Sequence, residues 1–332
     1  MLPDAPTPVL EVGGTHVTAA LVEGGHGTGI PGPGSWRILP DSIVRRDLDA
    51  HAPASRLLDE LARAAGEATA RTGREHTGRW GAAVPGPFDY RHGIARYEGV
   101  GKFDSLNGVD VGAGLADRLG DAAASITFLN DADAFGLGEF ALGTAGASRR
   151  CVCITLGTGV GSVFLADGLP VKSGADVPPD GSCYLIEFQG KPLEDTVSRR
   201  AIRRAYAAAA AIGPGPARST SDGGTSPGLP DVREIAAAAR AGDPVAAAVV
   251  QHSFGSLGDA LAPYLKRFGA DILIVGGSMA GSWDLVEPAL RTGLAKAAPA
   301  LAGLPITRAG HGEAAGLVGA AYWAGRAATD RR

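Results

Sequence analysis

The chain has 332 residues, enough for two domains of ordinary size, and its 45% of hydrophobic residues can form a sizeable core. Charged residues make up 20% and the formal net charge is -4, which argues against nucleic acid as the main partner because a phosphate backbone requires a basic protein face. There is no run of about 18 apolar residues and no basic-then-apolar N-terminal segment, so we expect no membrane span, no secretion signal and a cytoplasmic location.

The first half of the chain predicts alternating strands and helices. Apolar residues with a period near two indicate strands at residues 9–12 and 16–22, joined by a Gly13-Gly14 turn. Apolar residues on one helical face indicate a helix over residues 55–72. Further predicted elements are a strand at 79–84, a short helix at 115–119, a strand at 126–129 and a helix at 131–142.

The second half repeats the strand, glycine turn, strand pattern. Its predicted strands are 150–156, 161–165, 271–275 and 306–307, and its predicted helices are 195–211, 232–241, 244–268, 283–297 and 313–328. Residues 213–230 are rich in Gly, Pro, Ser and Thr and predict a mobile surface loop. The alternation predicts an α/β fold, and the repeated pattern predicts a duplicated domain with a ligand cleft between the copies.

The first glycine cluster is a candidate phosphate site. Gly13 and Gly14 at a hairpin tip let backbone N–H groups approach an anion, and Thr15 adds a hydroxyl donor. The carboxylate of Glu11 can hold a hydrated Mg²⁺. The alternative is an ordinary glycine hairpin without a ligand.

The second glycine cluster, Gly157-Thr158-Gly159, also joins two predicted strands. It is neither a dinucleotide-binding fingerprint, because no helix follows directly, nor a Walker loop, because no Gly-Lys-Ser/Thr is present. One such loop is weak evidence. Two of them suggest that phosphates are held from both sides.

Asn130 and Asp131 lie where a predicted strand gives way to a helix, and ligands of α/β proteins bind at such strand ends. Asp131 can accept a proton from a substrate hydroxyl as its oxygen attacks phosphorus, and Asn130 can hydrogen-bond a neighbouring hydroxyl. The alternative is that one of the two residues only caps the helix.

The fourth feature is Gly276-Gly277 at the end of a predicted buried strand, which suits close approach of a nucleotide's ribose or base. An alternative is a hydrolase, because Gly276 to Ala280 nearly matches a nucleophile elbow around Ser278, with His311 downstream. Its acid would then be Asp284 or Glu287. The cysteines Cys151, Cys153 and Cys183 show no metal-ligand spacing and are expected in the core.

Together and in this order, these segments resemble the ROK family of sugar kinases, within the actin/hexokinase/Hsp70-like ATPase superfamily. The segments that carry the resemblance are residues 11–21, 84–89, 130–134, 156–162, 193–202 and 275–277. The resemblance implies two ribonuclease H-like domains with a cleft between them. We expect a small domain of residues 1–129, completed by a helix at about 313–328, and a larger domain of residues 130–312.

The resemblance also implies a reaction and its participants: ATP as phosphoryl donor, Mg²⁺ as cofactor and a sugar or polyol as acceptor. Asp131 matches the family's general base. Residues 84–89 resemble the loop near the sugar, and Glu194 resembles a sugar-contacting glutamate. The residues expected to bind the acceptor are Gly86, Asn107, Asn130, Asp131, Asp180, Glu187 and Glu194. The family also favours a homodimer.

Three departures from the family pattern matter. Glu11 replaces the usual Asp, and His16 replaces a Lys, so a fixed positive charge near the hairpin is lost. The family's zinc-binding segment is absent, with Asp180 to Cys183 in its place, so we expect no structural zinc. Packing by Tyr184, Ile186 and Phe188 is expected to hold this segment instead.

Two other functions remain open at this stage. The lost zinc segment puts ordinary glucose specificity in doubt and suggests a kinase for a cyclitol or another polyol of secondary metabolism. A non-catalytic sugar sensor shares the fold, but the hairpin begins by Val9, which is expected to leave no room for the winged helix of such repressors.

Overall fold

The computed structural model describes residues 5–24, 35–212 and 229–327. They form two compact α/β units, which confirms the predicted fold class. The first unit contains the described residues up to Arg149, Leu165–Pro170 and those from Ala309 onward, and the second contains Arg150–Phe164 and the described part of Val171–Arg308. Most of the predicted loop at 213–230 lies outside the described residues.

The described strands and helices are numbered in chain order. The strands are β1 Thr7–Val12, β2 His16–Glu23, β3 Arg37–Ile38, β4 Val44–Asp47, β5 Arg79–Val84, β6 Phe88–Asp89, β7 Ile94–Ala95, β8 Ser125–Asn130, β9 Arg150–Leu156, β10 Val160–Ala166, β11 Leu169–Pro170, β12 Glu187–Phe188, β13 Lys191–Pro192, β14 Ile272–Gly276 and β15 Ile306–Arg308. The helices are α1 Ala54–Thr72, α2 Val111–Leu119, α3 Asp131–Ala141, α4 Glu194–Val197, α5 Arg199–Ile212, α6 Val232–Arg240, α7 Pro244–Phe268, α8 Trp283–Ala297 and α9 Glu313–Ala327.

The sheet of the first unit has the strand order β3-β2-β1-β5-β8, and β4 also pairs with β2. β1 and β2 form the antiparallel hairpin expected from the alternating apolar residues, whereas β1, β5 and β8 run parallel. Glu11 stands opposite Ala83, and Val84 stands opposite Asn130. The carboxyl ends of three neighbouring strands therefore meet at one edge of this sheet.

The packing of helix α9 explains which residues belong to the first unit. This helix packs against β1 and β5 and lies along α3. Consequently α3 and the residues up to Arg149 belong to the first unit, whereas the sequence placed the boundary after residue 129. The apolar core beneath the hairpin is formed by buried residues of β1, α1, β5, α2 and β8.

The second sheet has the order β11-β10-β9-β14-β15, with β9, β14 and β15 parallel. This order repeats that of the first sheet, as the duplicated glycine pattern predicted. β14 is fully buried, in keeping with its apolar sequence. The predicted helix 195–211 is divided at Ser198, whose backbone is extended. Within the described ranges, no helix combines the length and apolarity needed to cross a membrane.

Candidate active site

The carboxyl edge of the first sheet brings together most of the polar residues predicted for this half of the chain. β1 leads through Glu11 into the Gly13-Gly14 turn, β5 leads into Pro85-Gly86-Pro87, and β8 leads into α3 through Asn130. Ligands of α/β proteins bind at such edges because the strand ends leave backbone and side-chain polar groups free of the ladder. Asn107 lies on the same unit, exposed at the end of a short 3₁₀ turn.

Asn130 caps α3 and is held in place by a neighbouring loop. Its Oδ1 accepts a hydrogen bond from the Ala132 N–H at 2.9 Å, and its Nδ2 donates to the Tyr90 hydroxyl at 3.0 Å. The Tyr97 hydroxyl donates to the Pro85 carbonyl at 2.8 Å, and the Gly86-Pro87 peptide is cis. The capping role is thus real, and the same contacts orient the Asn130 amide beside the Gly86 loop.

Asp131 is the first residue of α3 and remains accessible to solvent. Its Oδ1 accepts a hydrogen bond from the Ala132 N–H at 2.9 Å. Protein atoms nevertheless surround the carboxylate closely, and the resulting loss of hydration raises its pKa, with a further increase from the charge of Asp133. A carboxylate with a raised pKa accepts a proton more readily than an ordinary one.

Glu11 lies near the end of β1 in an acidic environment. Burial raises its pKa from 4.5 to about 7, and repulsion from Glu313 and Asp131 adds to this, while Arg45 opposes it. Arg45 itself forms an ion pair with Glu313 at 2.9 Å. Gly316 of α9 faces Glu11, because a side-chain carbon placed on Gly316 would overlap the Glu11 carboxylate. Two further carboxylates, those of Glu313 and Asp131, thus act on Glu11 at this edge of the first unit.

A Glu11→Gln variant should show what this acidic environment costs. Below about pH 4.5 the Glu11 carboxyl is protonated in both the folded and the unfolded chain, so its ionisation does not change the free energy of unfolding. Between about pH 4.5 and 7 the folded chain keeps a proton that the unfolded chain loses, so wild-type stability falls as pH rises. Urea unfolding at several pH values should therefore show Glu11→Gln gaining up to about 3 kcal/mol relative to wild type above pH 7. A difference between Glu11→Gln and wild type that does not change with pH would contradict this, and Glu75→Gln at an exposed position is the control.

The hairpin turn after β1 has a fixed shape. The Gly13 N–H donates to the His16 carbonyl at 2.8 Å, and the Leu48 N–H donates to the Thr15 carbonyl at 2.8 Å. The Thr15 hydroxyl lies 3.3 Å from His16 Nδ1 and is exposed. The carbonyl groups of Thr15 and His16 are therefore hydrogen-bonded and fix the turn, whereas the Thr15 hydroxyl is accessible to a ligand.

In the second unit, the two glycine motifs lie against each other. The Gly157 N–H donates to the Gly159 carbonyl at 3.0 Å, closing the turn between β9 and β10, with Thr158 exposed at its tip. Gly277, directly after Gly276, has φ +84°, and a side-chain carbon there would overlap the Leu156 backbone. Only glycine combines this backbone conformation with so close an approach.

Glu194, at the start of α4, lies beside this turn. A side-chain carbon placed on Gly159 would be 3.2 Å from Glu194 Oε1. Burial raises the pKa of Glu194, the charge of Arg200 opposes the increase, and Asp195 adds to it. Glu187 and Glu194 line a common cavity of about 660 Å³ with Tyr184 and Lys191. The structure thus brings two predicted acceptor-binding residues together, and one of them abuts the glycine turn.

The segment around Asp180 to Cys183 is held mainly by hydrogen bonds and a short hairpin. Ser162 Oγ accepts from the Cys183 N–H at 2.7 Å and donates to the Gly181 carbonyl at 2.8 Å, and β12 pairs with β13. Ile186 is buried, but Tyr184 is 45% exposed, so the prediction that Tyr184 packs this segment is wrong. Asp180 is exposed with φ +52°.

A hydrolase would need an acid and a histidine as partners of Ser278, and the contacts of the candidate partners do not support that function. Asp284 binds Arg240 at 2.6 Å and Glu287 binds Arg291 at 2.6 Å, so both candidate acids are paired with arginines. His311 Nδ1 lies 3.2 Å from Glu139 Oε2 and 3.2 Å from the Thr144 hydroxyl, within the first unit. These side chains are engaged in other contacts.

Glu139 is a residue that the sequence analysis missed. Its side chain is fully buried in α3 and accepts hydrogen bonds from the Gly310 N–H at 3.1 Å, the His311 N–H at 3.0 Å and the Thr144 hydroxyl. These bonds fasten the segment that leads into α9, which carries Glu313 and Gly316. The available signal was a carboxylate in the apolar, glycine-rich second half of the helix, because a buried carboxylate requires partners.

Comparisons with known proteins agree on one family. The ROK family model matches residues 45–327. The glucokinase of Thermotoga maritima is 27% identical over 223 residues, covering 64% of this chain and 67% of that protein. The glucokinase of Streptomyces coelicolor is 31% identical over 174 residues, covering 49% of this chain and 54% of that protein, so the match spans only about half of that relative.

Solved structures show the same fold. The ROK hexokinase of Thermus thermophilus matches with a TM-score of 0.75 and 24% identity over 98% of this chain and 99% of that one. A Streptomyces griseus ROK family glucokinase, in complex with glucose and AMPPNP, matches with a TM-score of 0.67 and 22% identity over 95% of this chain and 98% of that one. A ROK family transcriptional regulator, a homologue of the E. coli MLC protein, matches with a TM-score of 0.72 and 20% identity over 96% of this chain and 79% of that one. At these identities the likeness concerns the fold alone.

Proposed function

Because the chain belongs to the ROK family, we propose that it is an ATP-dependent kinase that phosphorylates a hydroxyl of a sugar. The observation that carries the proposal is the meeting of three parallel strand ends in the first unit, with Glu11 on β1, the Gly86 loop after β5 and Asn130-Asp131 after β8. Similarity to two proteins named glucokinase supports the same reaction class.

The proposed reaction is direct in-line transfer of the terminal phosphoryl group of ATP. The acceptor oxygen forms a bond to phosphorus while the bond from phosphorus to the bridging oxygen of ADP breaks and leaves its electron pair on ADP. The acceptor proton passes to the carboxylate of Asp131. The raised pKa of Asp131 favours this transfer, and its accessibility to solvent leaves it open to an acceptor.

The residues proposed to bind the nucleotide are backbone groups of glycine turns. They are Gly13, Gly14 and Thr15 in the first unit and Gly157, Thr158, Gly159, Gly276 and Gly277 in the second. The N–H groups of Gly13 and Gly157 close their own turns, so the proposed phosphate donors are the other backbone N–H groups of these turns, which phosphate oxygens can approach without a side chain in the way.

The acidic edge of the first unit also fits Mg²⁺. Burial raises the pKa of Glu11, repulsion from Glu313 and Asp131 raises it further, and a divalent cation would relieve that repulsion. Among the described residues, no three acidic, His or Cys side chains are close enough together to ligate a metal directly. Glu11 would therefore hold a hydrated ion through water, and Mg²⁺ so bound neutralises phosphate charge.

For the acceptor, we propose that Gly86, Asn107 and Asn130 bind hydroxyls in the first unit, and Asp180, Glu187 and Glu194 in the second. The support is strongest for Asn130, whose amide is held by Tyr90, and for Glu194, whose carboxylate lies beside the Gly159 turn. The support is weakest for Asn107 and Asp180, which are exposed. The cytoplasmic location, the homodimer and the absence of structural zinc stay predictions.

Two related functions have specific support. The short β12–β13 hairpin where the family carries zinc favours a changed acceptor, such as a cyclitol or another polyol. The structural likeness to a ROK family transcriptional regulator supports a non-catalytic sugar sensor as the alternative function. The raised pKa of Asp131 and the fixed Asn130 amide beside it favour an enzyme, because a sensor needs no proton acceptor.

A coupled ADP-release assay should decide among these functions. We expect Mg²⁺- and acceptor-dependent ADP release in a panel of hexoses, amino sugars and cyclitols, each tested against a reaction without acceptor. Glucose as by far the best acceptor would exclude the cyclitol proposal. Binding of a sugar, measured by calorimetry, without ADP release from any acceptor would contradict the kinase and support the sensor.

A further inference from the structure

The hairpin turn after β1 has a cationic neighbour that the sequence analysis did not identify. The side chain of Lys102 lies over the turn: a side-chain carbon placed on Gly14 would be 2.9 Å from Lys102 Nζ and 3.6 Å from its Cδ. Both residues belong to the first unit. Lys102 is 88 residues from Gly14 in the chain, so only the fold brings them together.

The backbone of Lys102 is held by the residue that follows it. Phe103 is buried, its N–H donates to the Ala50 carbonyl at 2.8 Å, and its ring lies 5.5 Å from that of Tyr97. Phe103 takes a left-handed conformation with φ +59°, which an L-residue adopts only where its surroundings require it. The buried ring thus anchors the loop and directs the exposed Lys102 towards the turn.

The ammonium group of Lys102 is available to an anion. Among the described residues, Lys102 has no carboxylate within ion-pair distance and no hydrogen-bond partner. The turn itself carries His16 where the family has a lysine. Glu11, two residues before the turn, is acidic, so a phosphate approaching this edge needs a nearby positive charge.

We propose that Lys102 binds the terminal phosphates of the nucleotide at the Gly13-Gly14 turn and supplies the positive charge that the family's lysine would bring to this turn. The charge comes from a different segment of the chain but reaches the same turn. Lys102 would act as a binding and positioning group, holding the phosphoryl group as negative charge moves onto the bridging oxygen of ADP. This inference rests on the proposed kinase function.

The test compares three variants with wild type. Lys102→Met removes the charge and keeps the length, Lys102→Arg keeps the charge, and Lys266→Met removes a charge from an exposed site on α7 of the other unit. Calorimetry with Mg²⁺ measures the Kd of AMPPNP and of AMP, and the coupled assay measures kcat. For Lys102→Met we expect about a tenfold higher Kd for AMPPNP, an unchanged Kd for AMP and a kcat lower by about 10- to 100-fold.

The control variants sharpen the interpretation. Lys102→Arg should remain within about threefold of wild type, and Lys266→Met should match wild type. Equal weakening of AMPPNP and AMP by Lys102→Met, together with a lower Tm, would show a merely structural role and overturn the proposal. Wild-type affinity for AMPPNP and a wild-type kcat in Lys102→Met would overturn it as well.

The outcomes for Lys102 and for the kinase function are separable. If wild type binds AMPPNP but releases no ADP with any acceptor, the kinase function is wrong, and the AMPPNP-to-AMP comparison still decides the role of Lys102. If wild type binds neither nucleotide, both proposals are wrong.

Discussion

Replacing Asp131 with asparagine is expected to lower kcat by about 10³-fold or more while leaving the chain folded. The amide has the size of the carboxylate but cannot take the acceptor's proton. Its oxygen can still accept the hydrogen bond from the Ala132 N–H, and Asn130 remains as the cap of α3. The substitution also removes a charge from a poorly hydrated position near Asp133, so stability should be unchanged or slightly higher.

The coupled ADP-release assay and thermal unfolding together test this expectation. Asp117→Asn, at an exposed position of α2 in the same unit, is the matched control and should behave as wild type. For wild type, the acidic limb of the pH profile of kcat/KM should lie above the ordinary aspartate pKa of 3.8. An Asp131→Asn protein that kept more than about a tenth of the wild-type kcat would remove Asp131 as the base.

Replacing Glu139 with alanine should lower the free energy of unfolding by about 3 to 5 kcal/mol. The truncation leaves the buried N–H groups of Gly310 and His311 and the hydroxyl of Thr144 without their acceptor, and it opens a cavity in α3. Because these bonds fasten the segment leading into α9, activity should fall as well. α9 carries Gly316, against which the Glu11 carboxylate lies.

Urea unfolding at constant pH measures the stability change. Glu75→Ala, at an exposed position after α1, is the control and should change stability by less than about 0.5 kcal/mol. Glu139→Gln should fall between wild type and Glu139→Ala, since one amide oxygen can accept only some of the three bonds. A loss below about 1 kcal/mol for Glu139→Ala would show that water or rearranged backbone replaces the carboxylate.

The candidate site in the first unit could be predicted to a large extent. The predicted strands at residues 9–12, 79–84 and 126–129 correspond to β1, β5 and β8, and glycines or polar residues follow each of them. The parallel pairing of these strands, which brings their carboxyl ends to one edge, is seen only in the structure, and so is the effect of Asp131 on the pKa of Glu11.

Other features could not be predicted, because they depend on contacts between distant segments. The pairing of α3 with α9 moved the unit boundary from residue 129 to Arg149. Local apolar periodicity shows that both helices have partners but does not say which. The exposure of Tyr184 has the same origin, since a run of apolar residues does not show which of them faces the core.

By itself, the amino-acid sequence determined the α/β class, the repeated strand, glycine turn, strand pattern and the candidate residues Glu11, Asn130 and Asp131, because these depend on local patterns, whereas Glu194 was implied by the family resemblance. Only the tertiary structure decided which groups act on them: Glu313 and Gly316 beside Glu11, the bonds of Glu139 to the start of α9, and Lys102 over Gly14. The physical reason is that electrostatic and steric effects depend on distance in space, and residues 88 positions apart in the chain become neighbours only when the core packs.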